Sequence, residues 1–105
     1  MPDVTALATA VDRLADRVRA LPQSALRRGA AEAAYALSCE LARWAQQLEE
    51  PGTVPRPLPR VGEFTAGDQL AVVGHDLAAV LAERGAPGDP ARALALLDEH
   101  AAALR

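Results

Sequence analysis

The sequence predicts an all-α protein, a four-helix bundle of two helical hairpins joined by a proline-rich crossover linker. One observation behind this prediction is that apolar residues recur every three or four positions in four segments, which is the period of an α-helix. The other is that prolines and glycines interrupt the pattern at three places, where helices end. The 105 residues form a single domain. Its helices are predicted at about 3–20, 24–50, 66–84 and 90–104.

The first predicted helix begins at Asp3, whose side chain is a suitable N-cap. We interpret its charged residues as a solvated surface, with weak support from the oppositely charged pairs Arg13/Asp16 and Asp16/Arg19. Pro22 ends the helix, because proline lacks a backbone donor and clashes with the preceding turn. The apolar residues alternate steps of three and four and form one narrow stripe: Val4, Leu7, Val11, Leu14, Val18 and Leu21.

The second predicted helix, residues 24–50, is the longest uninterrupted helical pattern. Its apolar arc covers about 200°, against about 100° for an ordinary surface helix, so it needs partners on two sides. Either other helices of the bundle cover its second stripe or another chain does, and we expect a homodimer. Gly29 is expected to weaken the first turns only slightly, and Trp44 to fill the core. The second stripe, which is the candidate interface, consists of Ala31, Tyr35, Ser38, Ala42 and Ala45.

Residues 51–64 form the only long segment without a helical pattern, and four of them are prolines. Prolines favour an extended polyproline II conformation, in which this segment spans about 43 Å. The second helix is about 39 Å long. The linker is therefore long enough to reach back along the second helix and start the third helix beside its beginning, but its length alone leaves open whether the third helix lies parallel or antiparallel to the second. The run from Arg56 to Pro59 also resembles a proline-rich ligand for aromatic grooves, but we favour a stiff spacer.

The third predicted helix follows Thr65, a suitable capping residue. Gly74 lies beside its core stripe, where the missing side chain admits a close helix crossing. Val72 and Ala79 lie on its outer face, where they are either single exposed apolar residues or a contact patch. A four-residue loop then turns the chain into the fourth helix, so these two helices form the second hairpin.

The formal charge of −3 is distributed unevenly. Residues 1–62 hold eight arginines and seven acidic residues, whereas residues 63–105 hold three arginines and seven acidic residues. Nucleic-acid-binding surfaces need a basic stripe, so the acidic second half argues against that class of partner. The N-terminus lacks the pattern of a signal peptide, and no stretch has the ~20 apolar residues of a membrane span. We therefore expect a soluble, cytoplasmic protein with no membrane contact.

The residues that carry chemistry form no known catalytic or metal-binding pattern. The single cysteine, Cys39, excludes an internal disulfide and lies in mid-helix, with Arg43 as its one neighbouring cation. His75 has only apolar residues three and four positions away, so no second metal ligand accompanies it on the helix. His100 lies at the edge of the core, where a carboxylate across an interface would make association depend on pH. We predict no enzyme activity, no metal and no cofactor.

The leading functional prediction is a non-enzymatic protein–protein interaction module that forms a homodimer and binds an unidentified protein partner. A second class stays open, a small-molecule-binding bundle with an apolar cleft at Trp44 or His100, because alanine-rich helix contacts leave gaps when they are not packed closed. Light scattering at several concentrations tests the first function. Changes in Trp44 fluorescence on ligand addition test the second.

Overall fold

The computed structural model describes residues 3–104, which form four α-helices and no β-strand. The helices are α1 (Val4–Ala20), α2 (Ala31–Glu49), α3 (Ala66–Arg84) and α4 (Asp89–Ala101). Short 3₁₀ turns precede α3 and follow α4. The helices pack into one bundle, which confirms the predicted all-α fold class.

The α1 helix begins and ends as its sequence predicts. The carboxylate of Asp3 accepts a hydrogen bond from the backbone N–H of Ala6 at 2.9 Å, which caps the helix. At the other end, Leu21 is extended (φ −68°, ψ 139°), as expected for a residue that precedes proline. The predicted apolar stripe faces the core, where Leu7 and Val11 are at most 1% exposed.

The chain enters α2 through a break that helical periodicity does not reveal. A single helical turn, Gln23–Ala25, is followed by a π-helical turn, Leu26–Ala30. Within the second turn, Gly29 has φ 133° and ψ −14°, a conformation that residues with a Cβ atom rarely adopt. The expectation of an uninterrupted helix over 24–50 is therefore wrong in its first turns. The apolar residues at both ends of the π-helical turn are buried.

The proline-rich linker runs back along α2, as expected from its length. Near the end of α2, the side-chain oxygen of Gln46 accepts a hydrogen bond from the backbone N–H of Arg56 at 2.7 Å. Near the beginning of α2, the carboxylate of Glu32 accepts two hydrogen bonds from the Arg60 guanidinium, both at 2.8 Å. Consequently α3 starts beside the beginning of α2 and runs parallel to it.

The α3 helix lies between α1 and α2 and packs closely on both. Its approach to α1 depends on Gly74, because a Cβ atom there would collide with the Val11 side chain. A Cβ atom on Gly67, two turns earlier, would lie 2.9 Å from the carbonyl oxygen of Ala15. The predicted close crossing at Gly74 is therefore confirmed, and it joins α3 to α1.

The α4 helix runs antiparallel to α2 and parallel to α1. Its Arg92 lies over Trp44, and its His100 contacts Glu40, one turn earlier on α2. It packs mainly on α1. The two predicted hairpins therefore interleave: the helices within each hairpin make few direct contacts, because helices of the other hairpin lie between them.

The core consists of leucines, valines and alanines, as the composition predicts. The expectation that Trp44 fills it is wrong, because this side chain is only partly buried at the edge of the bundle. An indole needs more space than closely packed alanine-rich helices leave between them. The largest side chains that are fully buried are leucines: Leu7, Leu37, Leu41, Leu70, Leu77 and Leu104.

Candidate functional site

The predicted interface stripe on α2 is covered by the chain itself. Ser38 and Ala45 are at most 1% exposed, and Ala31 and Ala42 are partly buried. The linker lies over the outer edge of the stripe, where the Tyr35 hydroxyl donates a 2.6 Å hydrogen bond to a linker carbonyl oxygen. The wide apolar arc of α2 therefore finds its second partner within one chain. Homodimerisation stays a prediction, but this stripe no longer calls for it.

Leu58 and Arg60 hold the linker on α2. The Leu58 side chain packs against the core, and the Arg60 guanidinium lies 4.4 Å from the centre of the Tyr35 ring. Hydrogen bonds from Arg60, together with its positive charge, lower the pKa of Glu32 below its ordinary value of 4.5. The neighbouring Cys39 thiol, together with burial, raises the pKa of Tyr35 above its ordinary value of 10.0. These contacts favour the spacer interpretation of the linker over the groove-ligand one.

Cys39 lies partly buried in the middle of α2, beneath the linker. It lines a recess of about 260 Å³ together with Arg43 and Pro57. The thiol therefore borders the covered stripe, and nothing in this arrangement assigns a reaction to it.

Each histidine contacts a carboxylate on another helix. These contacts cannot be predicted from the residues next to each histidine in the sequence. The Nε2 atom of His75 on α3 lies 2.6 Å from Oδ1 of Asp12 on α1. The Nε2 atom of His100 lies 3.3 Å from Oε2 of Glu40, and its Nδ1 atom lies 3.0 Å from the carbonyl oxygen of Leu96. The carboxylate considered for His100 is therefore present, but within the chain.

The cleft expected at Trp44 is a shallow groove between α2 and α4, with a volume of about 470 Å³. The Arg92 guanidinium stacks on the indole, 4.4 Å from the ring centre. Leu48 and Leu96 form its apolar wall, and His100 lies next to it through its contact with Glu40. We call this the α2–α4 groove; it combines apolar area, an aromatic ring and a cation.

A larger groove, of about 750 Å³, runs between α1 and α4 and is open to solvent. Its floor is apolar, and the small alanine side chains of α1 leave room for a close approach. The sequence signal for it is a second stripe on α1, in which Ala6, Ala10, Arg13 and Arg17 follow at steps of four, three and four. We call it the α1–α4 groove, and its floor consists of Ala6, Ala10, Leu14, Leu94, Leu97 and Ala101.

Arg13 and Arg17 form the α1 rim of this groove, and neither has a carboxylate within 4.0 Å in residues 3–104. The opposite flank of α1 is paired. Asp16 binds Arg19 at 2.9 Å, and Arg19 also binds Asp68 of α3 at 2.8 Å. The predicted pair Asp16/Arg19 is therefore confirmed, whereas Arg13/Asp16 does not form within the described chain. The charged surface of α1 is paired toward α3 and unpaired toward the groove.

The described part of the chain contains no group of three or more His, Cys, Asp or Glu side chains placed to hold a metal ion. None of its helices combines the length and the apolar character needed to cross a membrane. What the α1–α4 groove offers is apolar area bordered by two arginines on α1 and by Asp3 and Asp98.

The geometry of the chain is the basis for inferring its function. No protein-family model, no curated protein and no solved structure matches it.

Proposed function

We propose that this protein is a non-enzymatic interaction module that binds a helical segment of a protein partner in the α1–α4 groove. The observation that carries the proposal is an open apolar floor beside two arginines, Arg13 and Arg17, that lack an ion-pair partner within residues 3–104. Unpaired guanidinium groups next to accessible apolar area suit a partner that supplies both apolar side chains and carboxylates.

Binding of an amphipathic helix in an apolar groove is a recurring mode of protein recognition. The α1 side of the groove, residues 3–17, extends over about 21 Å, or about four helical turns. Ala6 and Ala10 let a partner helix approach closely, while the partly buried Leu94 supplies apolar area that contributes about 25 cal/mol for each Å² buried. The arginines add orientation and association rate more than they add affinity.

A displayed library of amphipathic helical peptides tests this proposal. We expect peptides selected on the wild-type protein to bind the Ala6→Trp variant at least about tenfold more weakly, because the indole fills the groove. The matched control is Ala36→Trp, which adds the same side chain at an exposed position of α2. A library that yields no binder, or peptides that bind both variants equally, would contradict the proposal.

A second candidate function is small-molecule binding in the α2–α4 groove, and the stacking of Arg92 on Trp44 favours it. A guanidinium and an indole together suit a flat, anionic molecule. Trp44 is the only tryptophan of the chain, so its fluorescence reports directly on this groove. We expect aromatic carboxylates to change the fluorescence of the wild type but not of Arg92→Ala. An unchanged signal across the panel would remove this candidate.

A further inference from the structure

We infer that the helix bound in the α1–α4 groove is the outer face of α3 from a second copy of this chain. The inference rests on the proposed function, because it names the partner of that groove. It joins the two arginines on the α1 rim of the groove to two carboxylates on α3, and none of these four groups has an ion-pair partner within residues 3–104.

The outer face of α3 carries a stripe of alternating apolar and acidic residues, which we call the α3 stripe. Val72, Asp76, Ala79 and Glu83 follow at steps of four, three and four, so they share one side of the helix. All four are exposed, and Val72 is 69% exposed, which places it among the most exposed large apolar residues. Neither carboxylate has a cation within 4.0 Å in the described chain. Exposed apolar residues rimmed by polar groups can mark a contact site, and Val72 and Ala79 alternate with the unpaired acids in this way.

The neighbouring flank of α3 is fixed on α1, so the α3 stripe is presented by a well-anchored helix. Asp68 binds Arg19 at 2.8 Å, and His75 contacts Asp12 at 2.6 Å. On that flank, Asp68 and His75 therefore already have charged partners within the chain. The two carboxylates of the α3 stripe are left for a partner.

The α1–α4 groove has the complementary character. Its apolar floor suits Val72 and Ala79 of the second copy, while Arg13 and Arg17 suit the two carboxylates of the α3 stripe. Asp98 on the α4 rim repels those carboxylates and directs them toward the α1 rim. The two carboxylates of the stripe are therefore expected along the α1 rim, beside Arg13 and Arg17.

The dimensions of the two surfaces also agree. From Val72 to Glu83 the α3 stripe is about 17 Å long, and the α1 side of the groove from Thr5 to Arg17 is about 18 Å long. The stripe therefore fits within the groove along its whole length.

The groove and the α3 stripe are different surfaces, so this contact is heterologous. Each copy that binds through its groove still presents its own stripe, and association continues until a ring closes. We therefore expect oligomers that grow with protein concentration. This differs from the homodimer through α2 that the sequence led us to expect.

Sedimentation velocity with two charge-reversal variants tests the inference. The groove variant, Arg13→Glu with Arg17→Glu, keeps the α3 stripe; the stripe variant, Asp76→Arg with Glu83→Arg, keeps the groove. We expect the wild type to exceed the 11.0 kDa of one chain as concentration rises, and each variant alone to remain at 11.0 kDa. An equimolar mixture should again exceed 11.0 kDa, because the unchanged groove of the stripe variant matches the unchanged stripe of the groove variant, and the two reversed surfaces match as well.

Two controls separate the groove from general charge effects. The variant Arg28→Glu with Arg43→Glu changes the net charge as much as the groove variant does, but at exposed arginines outside the groove. It should associate like the wild type. Combining all four substitutions of the groove and stripe variants on one chain reverses both surfaces and should restore self-association. Circular dichroism on every variant confirms that the bundle is folded.

A wild type that stays at 11.0 kDa up to millimolar concentration would overturn the inference. A mixture that leaves both variants monomeric, or oligomers that resist both reversals, would overturn it as well. If the wild type is monomeric but selected helical peptides still bind and Ala6→Trp weakens them, only the self-association is wrong and the proposed function stands. If no peptide binds the groove either, the proposed function fails with it.

Discussion

The alanine-rich stripes of α2 and α1 have different surroundings. On α2 the proline-rich linker covers the stripe, and Arg60 is held by two 2.8 Å hydrogen bonds to Glu32. On α1, Ala6 and Ala10 line an open groove, and the arginines of its rim have no carboxylate within 4.0 Å in residues 3–104. The alanine-rich stripe is therefore covered on α2, where the chain supplies a covering segment, and remains accessible on α1, where it does not.

This difference separates what stabilises the bundle from what remains free to bind. The contacts of the linker satisfy the polar groups of α2 within the chain, so that side contributes to folding. The α1–α4 side leaves positive charge and apolar area unsatisfied. Unpaired charges and accessible apolar area are expected where a protein binds something else.

The close contact between α3 and α1 holds together the bundle that carries both the covered α2 side and the open α1–α4 side. The largest expected effect on stability therefore follows from Gly74→Ala. The added methyl group collides with the Val11 side chain. We expect the free energy of unfolding to fall by about 1–3 kcal/mol, which outweighs the gain of ~1 kcal/mol from alanine in a helix. Urea unfolding measures it. Gly88→Ala is the control, because no atom lies within 4 Å of a Cβ there, and equal stability of the two variants would refute the close crossing.

The side of the bundle that the linker covers is tested by Tyr35→Phe, which removes the hydrogen bond to the carbonyl oxygen of Leu58. We expect the linker to open more often and trypsin to cleave after Arg60 about fivefold faster, in proportion to one lost hydrogen bond. Cleavage after Arg13 in α1 is the internal control and should not change. An unchanged rate after Arg60 would show that the hydroxyl does not hold the linker.

A smaller effect is expected from acid on the same side. The pKa of Glu32 is lowered in the folded protein, so its pair with Arg60 stabilises the linker above the ordinary carboxyl value of 4.5. That contribution is lost as the pH falls through the lowered pKa. Hydrogen exchange, corrected for its intrinsic pH dependence, should show linker protection falling below about pH 4.5 in the wild type. The Glu32→Gln variant should lack this step, and the same step in both proteins would assign it to another group.

The smallest effect on stability is expected from the open side. Arg13→Ala with Arg17→Ala removes two cations that have no partner within the described chain. We expect the free energy of unfolding to stay within about 0.5 kcal/mol of the wild type. Thermal unfolding measures this change. A clear loss of stability would mean that both arginines are already engaged within the folded chain.

Three parts of the fold that depend on local rules were predictable from sequence. Asp3 caps α1 because a short acidic side chain reaches the first free N–H groups. The linker returns along α2 because proline fixes an extended conformation of known length. Gly74 marks the helix crossing because only a residue without a Cβ atom fits there.

The parts that depend on distant residues were not predictable. The pair of His75 with Asp12 joins residues 63 positions apart, and periodicity carries no information about such contacts. Trp44 lies on the main apolar stripe of α2, yet its neighbours in space leave it at the edge of the bundle. The α1–α4 groove was missed for the same reason. Its α1 stripe is visible in the sequence, but nothing in the sequence showed that the stripe would remain uncovered.

Amide chemical-shift mapping with a selected helical peptide tests the central claim most directly, which is that a partner binds the open side of the bundle. We expect the shifts to concentrate on α1 between Ala6 and Arg17 and on α4 between Leu94 and Ala101. Shifts on the linker and α2 instead, around Tyr35, would contradict the claim, because the partner would then bind the side that the chain already covers.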